Sequence, residues 1–376
     1  MKWEYKTLDQ LGTVSRGKSK HRPRNDPKLF GGKYPFIQTA DVKNADYYIT
    51  KYSDTYNESG VAQSKLWDKG TLCITIAANI ADTGVLAFPA CFPDSIMGFV
   101  PFEGVANTRF IKYCFDRLQR DCKQISQGTA QDNLSWEKLS TIKFCIPEYK
   151  EQCRIADILS AYDDLIENNQ KQIKLLEEAA QRLYKEWFLD LRFPGHENTK
   201  IVDGVPEGWS RGLLKELISV NYGKDHKKAP DDGNIPVYGS GGLMRKCNKS
   251  LFSGEAVLIP RKGSLNNIMY VDETFWTVDT MFYATMKQPH TAVFVYFFVK
   301  AFDMYSMNIG AAVPSMTTKI LDAMDVVIPD KETLEKFDKY AKVYFNKIKT
   351  LQGQNEQLKT ARDLLLPKLM SGEVEV

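Results

Sequence analysis

After Pro147 the apolar positions fall into two interleaved rows, each with a spacing of seven. One row is Ile155, Tyr162, Asn169, Leu176 and Leu183; the other is Leu159, Ile166, Ile173, Ala180 and Trp187. This spacing predicts a helix of about 40 residues, roughly 60 Å long, with a coiled-coil seam. Phe193-Pro194-Gly195 supplies its stop. The rows return 182 residues later as Phe337, Tyr344, Leu351, Leu358 and Leu365 with Ala341, Ile348, Asn355, Arg362 and Leu369. Asp330 stands where it can cap that second helix.

Before each helix the pattern shortens into strands and turns. Gly70 to Ile76 reads as a turn and a buried strand, and Gly254 to Ile259 repeats it. Each leads into a glycine-bearing loop, Asp82-Thr83-Gly84 or Arg261-Lys262-Gly263. Short amphipathic helices are expected around Phe110 to Leu118 and Val293 to Phe302, followed by turns at Gly128 and Gly310.

These echoes are a duplication. Trp3, Leu8, Leu11, Val14, Gly17 and Lys18 recur at a constant shift of 206 as Trp209, Leu214, Leu217, Val220, Gly223 and Lys224. Gly128, Ala130, Leu139, Ile146 and Pro147 recur at a shift of 182 as Gly310, Ala312, Leu321, Ile328 and Pro329. The copies agree at their edges and differ in the middle, as two modules on one scaffold with different targets would. A two-part target is implied, and DNA is the natural candidate.

A long apolar stripe must be buried, and its own duplicate is the nearest partner. If a pseudo-twofold relates the copies, the helices run antiparallel. Setting Asn169 opposite Asn355 then brings Ala180 to Tyr344, Leu183 to Ala341, Trp187 to Phe337 and Ile155 to Leu369. Only this placement lets each buried amide meet the other; an unpaired one costs roughly 1–3 kcal/mol. It leaves Tyr162 facing Arg362, an odd layer that we assign to an exposed end.

Composition narrows the classes without choosing among them. The 376 residues are 43% apolar, which suits folded cores, and the net charge of +3 requires any polyanion site to be a local patch. The first residues hold no signal-peptide core, and the longest apolar run, Ala292 to Val299, is too short to span a bilayer. The seven cysteines form no CxxC pair, and with four scattered histidines they read as reduced thiols of a cytoplasmic protein, with no metal site.

Gly12-Thr-Val-Ser-Arg-Gly17-Lys18-Ser19 fits the phosphate-binding pattern GxxxxGK[ST]. The pattern needs an apolar strand before it and a helix after it. Lys2 to Gln10 is polar, and Pro23 and Pro27 exclude the helix. The second copy replaces Gly12 by Ile218 and Ser19 by Asp225, so the match carries no nucleotide site. Sets of residues for methyl transfer, zinc hydrolysis or a nucleophile elbow are missing from the sequence, so the expected role is recognition and no catalytic residue is assigned.

The cationic candidates cluster. Lys18, Lys20, Arg22 and Arg24 lie in one basic loop, and Lys224, Lys227 and Lys228 lie at its repeat. These are expected to touch phosphates. Arg261 and Lys262 follow a buried strand, from which an arginine can be aimed at guanine. Arg245 and Lys246 flank the glycine-rich turn Tyr238-Gly-Ser-Gly-Gly242, whose glycines more often serve the turn than a ligand.

Nearly the whole chain resembles the specificity subunits of type I restriction–modification enzymes. The resemblance rests on Pro35-Phe-Ile-Gln-Thr-Ala-Asp41, Ala78 to Gly84, Ile146-Pro147 followed by Glu151-Gln152 and Arg154 to Leu159, Leu176-Glu177, and Trp187-Phe188. It continues with Val205-Pro-Glu-Gly-Trp209, Ile235-Pro-Val-Tyr-Gly239 and Leu364 to Gly372. It implies an α+β fold in which two mixed α/β target recognition domains, 1–148 and 193–329, are joined by two long antiparallel coiled-coil helices, 149–192 and 330–376. Each domain is expected to read half of a bipartite double-stranded DNA site.

The resemblance also implies two docked methyltransferase subunits and ATP-dependent restriction subunits. S-adenosylmethionine, ATP and Mg are expected in those partners and no cofactor in this chain. One departure stands out: Thr333-Leu334 replaces the Glu-Gln pair in the second helix, so docking need not be equivalent on the two sides. The rival readings are the recognition subunit of an orphan methyltransferase or methyltransferase–nuclease fusion system, and a coiled-coil scaffold with two protein-binding heads.

Overall fold

The structure, a computed structural model, describes residues 3–76, 82–125, 136–307 and 315–376. The turns expected at Gly128 and Gly310, and the part of the Ala78 to Gly84 segment before Asp82, lie outside the described residues. The chain forms two compact units, Met1–Asn169 with Gly353–Val376, and Gln170–Gln352. Each long helix therefore contributes to both, because its two halves bury their stripes in different cores. No helix among the described residues is long and apolar enough to cross a membrane.

In the first unit a five-stranded sheet runs in the order Gly12–Arg16, Ile96–Pro101, Leu72–Thr75, Thr83–Leu86, Tyr48–Ile49. Neighbours are antiparallel except the last pair, where Tyr48 lies beside Val85 in parallel. Phe99, Ile74 and Leu72 are fully buried under the helix Thr108–Ile125, whose Phe110, Ile111 and Phe115 face the same core.

The second unit repeats this order: Ile218–Tyr222, Met281–Met286, Phe252–Pro260, Met269–Thr277, Ile235–Gly239. Again only the last pair is parallel, with Val237 beside Trp276. The helix Ala292–Lys300 covers this sheet with Val293, Phe294 and Val295. Even the register is duplicated. Glu4 lies opposite Ile146 in the short ladder at the start of the first copy, and Ser210 lies opposite Ile328 in the second.

The copies diverge where their sequences do. The first unit has a separate four-stranded sheet, Asp54–Tyr56, Phe30–Phe36, Ala90–Cys91 and Leu66–Trp67, closed around Phe36 stacked on Tyr56 at 4.1 Å. The second instead folds a hairpin, adding Gly242–Cys247 to the edge of its main sheet.

Two local expectations need correction. The loop predicted at Asp82-Thr83-Gly84 is largely strand: Thr83 to Leu86 are buried and pair with Leu72–Thr75, and Gly84 is small because a Cβ would lie 2.7 Å from Ile49. Gly70 does sit in a turn at φ +89°, but Gly254 lies inside a strand. That strand extends back to Phe252 because its partner Met269–Thr277 is long enough to pair along it.

The long helices are Tyr149–Tyr184, extended by a π turn over Lys185–Leu189, and Lys331–Ser371. Within the first unit Ile155 and Leu159 share a core with Leu366 and Leu369. Within the second, Ala180 and Trp187 share one with Phe337, Ala341 and Tyr344, and the Trp187 and Phe337 rings are 5.8 Å apart. In each unit, residues advancing along one helix meet residues retreating along the other, so the paired segments are antiparallel. Asp330 caps the second helix by accepting from Thr333 N at 2.9 Å and the Thr333 hydroxyl at 2.7 Å.

Candidate nucleic-acid interface

Both units build the same corner from the same two residues. At the end of the strand Gly12–Arg16, Gly17 N donates to Ile96 O at 2.8 Å and Lys18 N to Phe92 O at 3.0 Å. At the end of Ile218–Tyr222, Gly223 N donates to Met281 O at 2.9 Å and Lys224 N to Thr277 O at 2.9 Å. Glycine is required because the chains approach closely: a Cβ on Gly17 would sit 2.3 Å from Phe92 O, and one on Gly223 2.0 Å from Val278 O. The segment Gly12–Arg16 is thus a strand, not the loop before a helix that a phosphate-cradling GxxxxGK pattern needs.

Each corner opens into a cationic loop with an aspartate-capped 3-10 turn. Asp26 accepts from Lys28 N at 3.0 Å before Pro27–Leu29, and Asp225 from Lys227 N at 3.0 Å before His226–Lys228. The Lys28 amide and the His21 ring hold the Asp26 carboxyl below its usual range. In the first loop Lys18 and Lys20 are exposed. Arg22 braces the loop through Ser19 O at 2.6 Å and His21 O at 2.8 Å, and Arg24 pairs with Asp94 at 2.8 Å. Gln63, which the sequence did not single out, anchors the loop from elsewhere in the unit by accepting from Lys20 N and His21 N. In the second loop Lys224 and Lys227 are exposed; the Lys228 side chain lies outside the described residues.

The other candidates separate by what their charged groups already touch. Arg245 is half-buried and structural: it bonds Ala229 O at 2.8 Å and also holds Asp231 and His226 O. Lys246 beside it is exposed. Arg261 follows the strand Phe252–Pro260, its guanidinium 5.6 Å from the Tyr222 ring centroid, and Lys262 is exposed next to it. Ser240 O, in the glycine-rich hairpin turn, accepts from Asn267 at 2.9 Å, so that turn is tied to the loop following Arg261.

Sequence reasoning missed Tyr222. Its signal was an exposed aromatic at the last position of a strand, directly before the repeated Gly-Lys.

The helix-pair residues fall as follows. Asn169 Nδ2 donates to Asn355 Oδ1 at 2.9 Å, with both residues buried. Ala180 and Tyr344 belong to one apolar cluster of the second unit. The layer assigned to an exposed end is instead internal to the first unit: Arg362 pairs with Asp163, which is only 1% exposed in its side chain. Tyr113 donates to the same carboxylate at 2.5 Å. Burial raises the Asp163 carboxyl pKa although Arg362 and Tyr113 both pull it down. Glu151-Gln152 also proves to have internal work. Gln152, 1% exposed, accepts from Asn107 N and donates to Val105 O and Pro147 O, while Leu334 at the matching place is buried in the second core.

Among the described residues no three or more His, Cys, Asp or Glu side chains cluster so as to hold a metal ion. The corners can attract polyanions, and one of them can present an arginine. Residues 1–178 and 206–360 match the family described as the type I restriction modification DNA specificity domain.

The chain belongs to this family. It is 26% identical to the type I restriction enzyme MjaIX specificity subunit of Methanocaldococcus jannaschii, over 100% of this chain and 94% of that protein. It is 23% identical to the HindI specificity subunit of Haemophilus influenzae, over 64% of this chain and 71% of that one. Its fold is that of the type I restriction–modification S subunit from M. genitalium, at TM-score 0.60 and 19% identity, covering 98% of this chain and 96% of the other. As a type I DNA specificity subunit the chain is a recognition component of a restriction–modification complex and not its catalyst.

Proposed function

We propose that each unit reads one half of a bipartite double-stranded DNA site, with the two long helices setting the spacing between the halves. The observation that carries this reading is the duplicated corner. The same hydrogen-bonded Gly-Lys turn and aspartate-capped cationic loop occur in both units, on sheets of one topology with dissimilar insertions. A shared frame suits the repeating phosphate backbone, and dissimilar insertions suit two different base sequences. Lys18, Lys20, Arg22 and Arg24 in one half, with Lys224, Lys227, Lys246 and Lys262 in the other, contact phosphates. Arg261 contacts a base edge. Half-sites about one helical turn apart let both units use one face of the duplex.

The helices also dock two methyltransferase subunits, which bind S-adenosylmethionine, and the assembly recruits restriction subunits that use ATP and Mg. Gln152 is not a docking determinant, because it is committed to the fold of the first unit.

The test is selection from a randomised duplex library by the full chain assembled with its methyltransferase subunits. The wild-type chain should select two short sequences at a fixed spacing. Arg261→Ala should relax base preference in one of them only, by roughly 1–3 kcal/mol per position. Equal weakening on selected and scrambled DNA would reassign Arg261 to a phosphate. No change from any of the cationic substitutions would place the DNA elsewhere on the units.

A further inference from the structure

Arg261 differs from Arg192, Arg211 and Arg245 of the second unit in what it leaves free. Its backbone is fixed from both sides, with N donating to Thr280 O at 2.8 Å and O accepting from Met316 N at 2.9 Å. Its guanidinium has no hydrogen-bond acceptor or carboxylate partner among the described residues, whereas Arg245 a few strands away uses its nitrogens on four residues, His226, Ala229, Asp231 and Lys246. What Arg261 does touch is the Tyr222 ring. A ring engages a guanidinium through its face, and the five N–H donors lie in the guanidinium plane. Such a contact restrains the group while leaving its donors available for a planar acceptor pair.

The ring is itself held. Tyr222 pairs with Phe282 across the sheet, and the two rings meet edge to face at 5.0 Å and 79°. Phe282 is fully buried, yet Tyr222 remains 55% exposed. This exposed aromatic thus packs on a buried ring at one side and faces an arginine at the other. Because Pro260 lies opposite Met281 and Tyr222 opposite Phe282, ring and guanidinium occupy one corner of the sheet by register.

The first unit places a cation at the same corner by another route. Arg16 lies opposite Met97 as the last residue of its strand, the place Tyr222 holds in the second, and it is exposed. The corner is therefore cationic in both units, but in the second the charge follows the strand Phe252–Pro260, on the far side of Met281–Met286, and faces an aromatic ring.

We infer that Tyr222 is a positioning residue for base readout: it holds the Arg261 guanidinium so that its paired N–H donors meet a base edge with two acceptors, the pattern guanine presents in the major groove. This rests on the reading of Arg261 as a base contact. Tyr222 acts on discrimination through Arg261, without touching the base that Arg261 reads.

The test uses the full chain with its methyltransferase subunits and a randomised duplex library, sequencing the bound fraction for Tyr222→Ala, Tyr222→Phe, Arg261→Ala and the double alanine variant. Tyr222→Ala should flatten preference at the same base position as Arg261→Ala, by roughly fivefold or more, and leave the other half-site unchanged. Tyr222→Phe keeps the ring face and should retain the preference. The double variant should be no worse than Arg261→Ala alone, since both act on one interaction. Unchanged preference in Tyr222→Ala, a loss as large in Tyr222→Phe, or additive losses in the double variant would overturn the inference. If Arg261→Ala leaves an otherwise well-defined selected site intact, the roles of Arg261 and Tyr222 fall together while DNA recognition by the chain stands. A wild-type chain that selects no sequence overturns both.

Discussion

Asn169 donates its amide to Asn355 at 2.9 Å, from one long helix to the other, within the first unit. The two side chains are 8% and 6% exposed, so each is the other's replacement for water. An alternative helix register would strand both.

The register should therefore depend on this pair. Asn355→Leu leaves Asn169 unpaired and should cost roughly 1–3 kcal/mol in denaturant unfolding. Replacing both by leucine should recover that loss and exceed the wild type in stability, with faster amide exchange along the helices as the register loosens. A double variant no more stable than the single one would show that the amides do not act as a pair.

Asp163 and Arg362 form the charged layer of the same unit, with Tyr113 on the carboxylate. Arg362→Met leaves a buried, uncompensated carboxylate and should cost about 3–5 kcal/mol at neutral pH. Adding Asp163→Leu should return most of it. The sign with pH follows from the shift. Burial already raises the Asp163 pKa, and removing Arg362 removes an opposing pull. A folded-state pKa above the unfolded one favours the fold below the unfolded value, and this advantage is lost as pH rises through the folded value. Arg362→Met should thus lose least stability in acid and most at neutral pH. A deficit independent of pH would refute this account.

Asp330 runs the other way. Partial burial raises its pKa, but the Thr333 amide and hydroxyl and the Trp209 indole together outweigh it, and the net shift is downward. Its stabilising effect should be present above the unfolded carboxylate pKa of about 3.9 and disappear as pH falls through the lower folded value. Asp330→Ala should cost about 1 kcal/mol at neutral pH. Thermal melts of wild type and variant should converge as the pH drops below about 4; parallel melting curves down to acid would count against the cap.

Salt dependence should separate the loop cations. Replacing Lys18, Lys20, Lys224 or Lys227 by alanine should weaken binding to all sequences. Each phosphate no longer neutralised should reduce the slope of log affinity against log salt by about one unit. Arg22→Ala should do more than that, because its guanidinium also holds the carbonyls of Ser19 and His21 in the loop. If Arg22→Ala behaves as a simple loss of one charge, its bracing role is dispensable.

Much of this molecule is readable from periodicity. A seven-residue spacing of apolar side chains has one efficient burial, so the two long helices and the opposition of Asn169 to Asn355 follow from the requirement that a buried amide find a partner. The duplication likewise carries its own register: the shifts that match Glu4 to Ser210 and Ile146 to Ile328 in sequence match them across the ladder. Chain order and spacing determined these features because they depend on local geometry and one repeated pairing.

The remainder depends on groups far apart in sequence. Arg362 is out of place opposite Tyr162 on spacing alone, since nothing local announces that Asp163 and Tyr113 converge on one carboxylate layer with it. Glu151-Gln152 has the polarity of a surface motif, and only folding brings Gln152 to the Val105 and Pro147 carbonyls. Arg245 and Arg261 are alike in sequence, each a cation beside a glycine-bearing turn. Only the folded sheet puts Asp231 and two loop carbonyls around the first and an aromatic face beside the second. The sequence by itself determined where charge is carried and which helices pair. Tertiary structure decided which charges are free to meet a ligand, because an arginine's availability is set by the acceptors and rings that other segments bring to it.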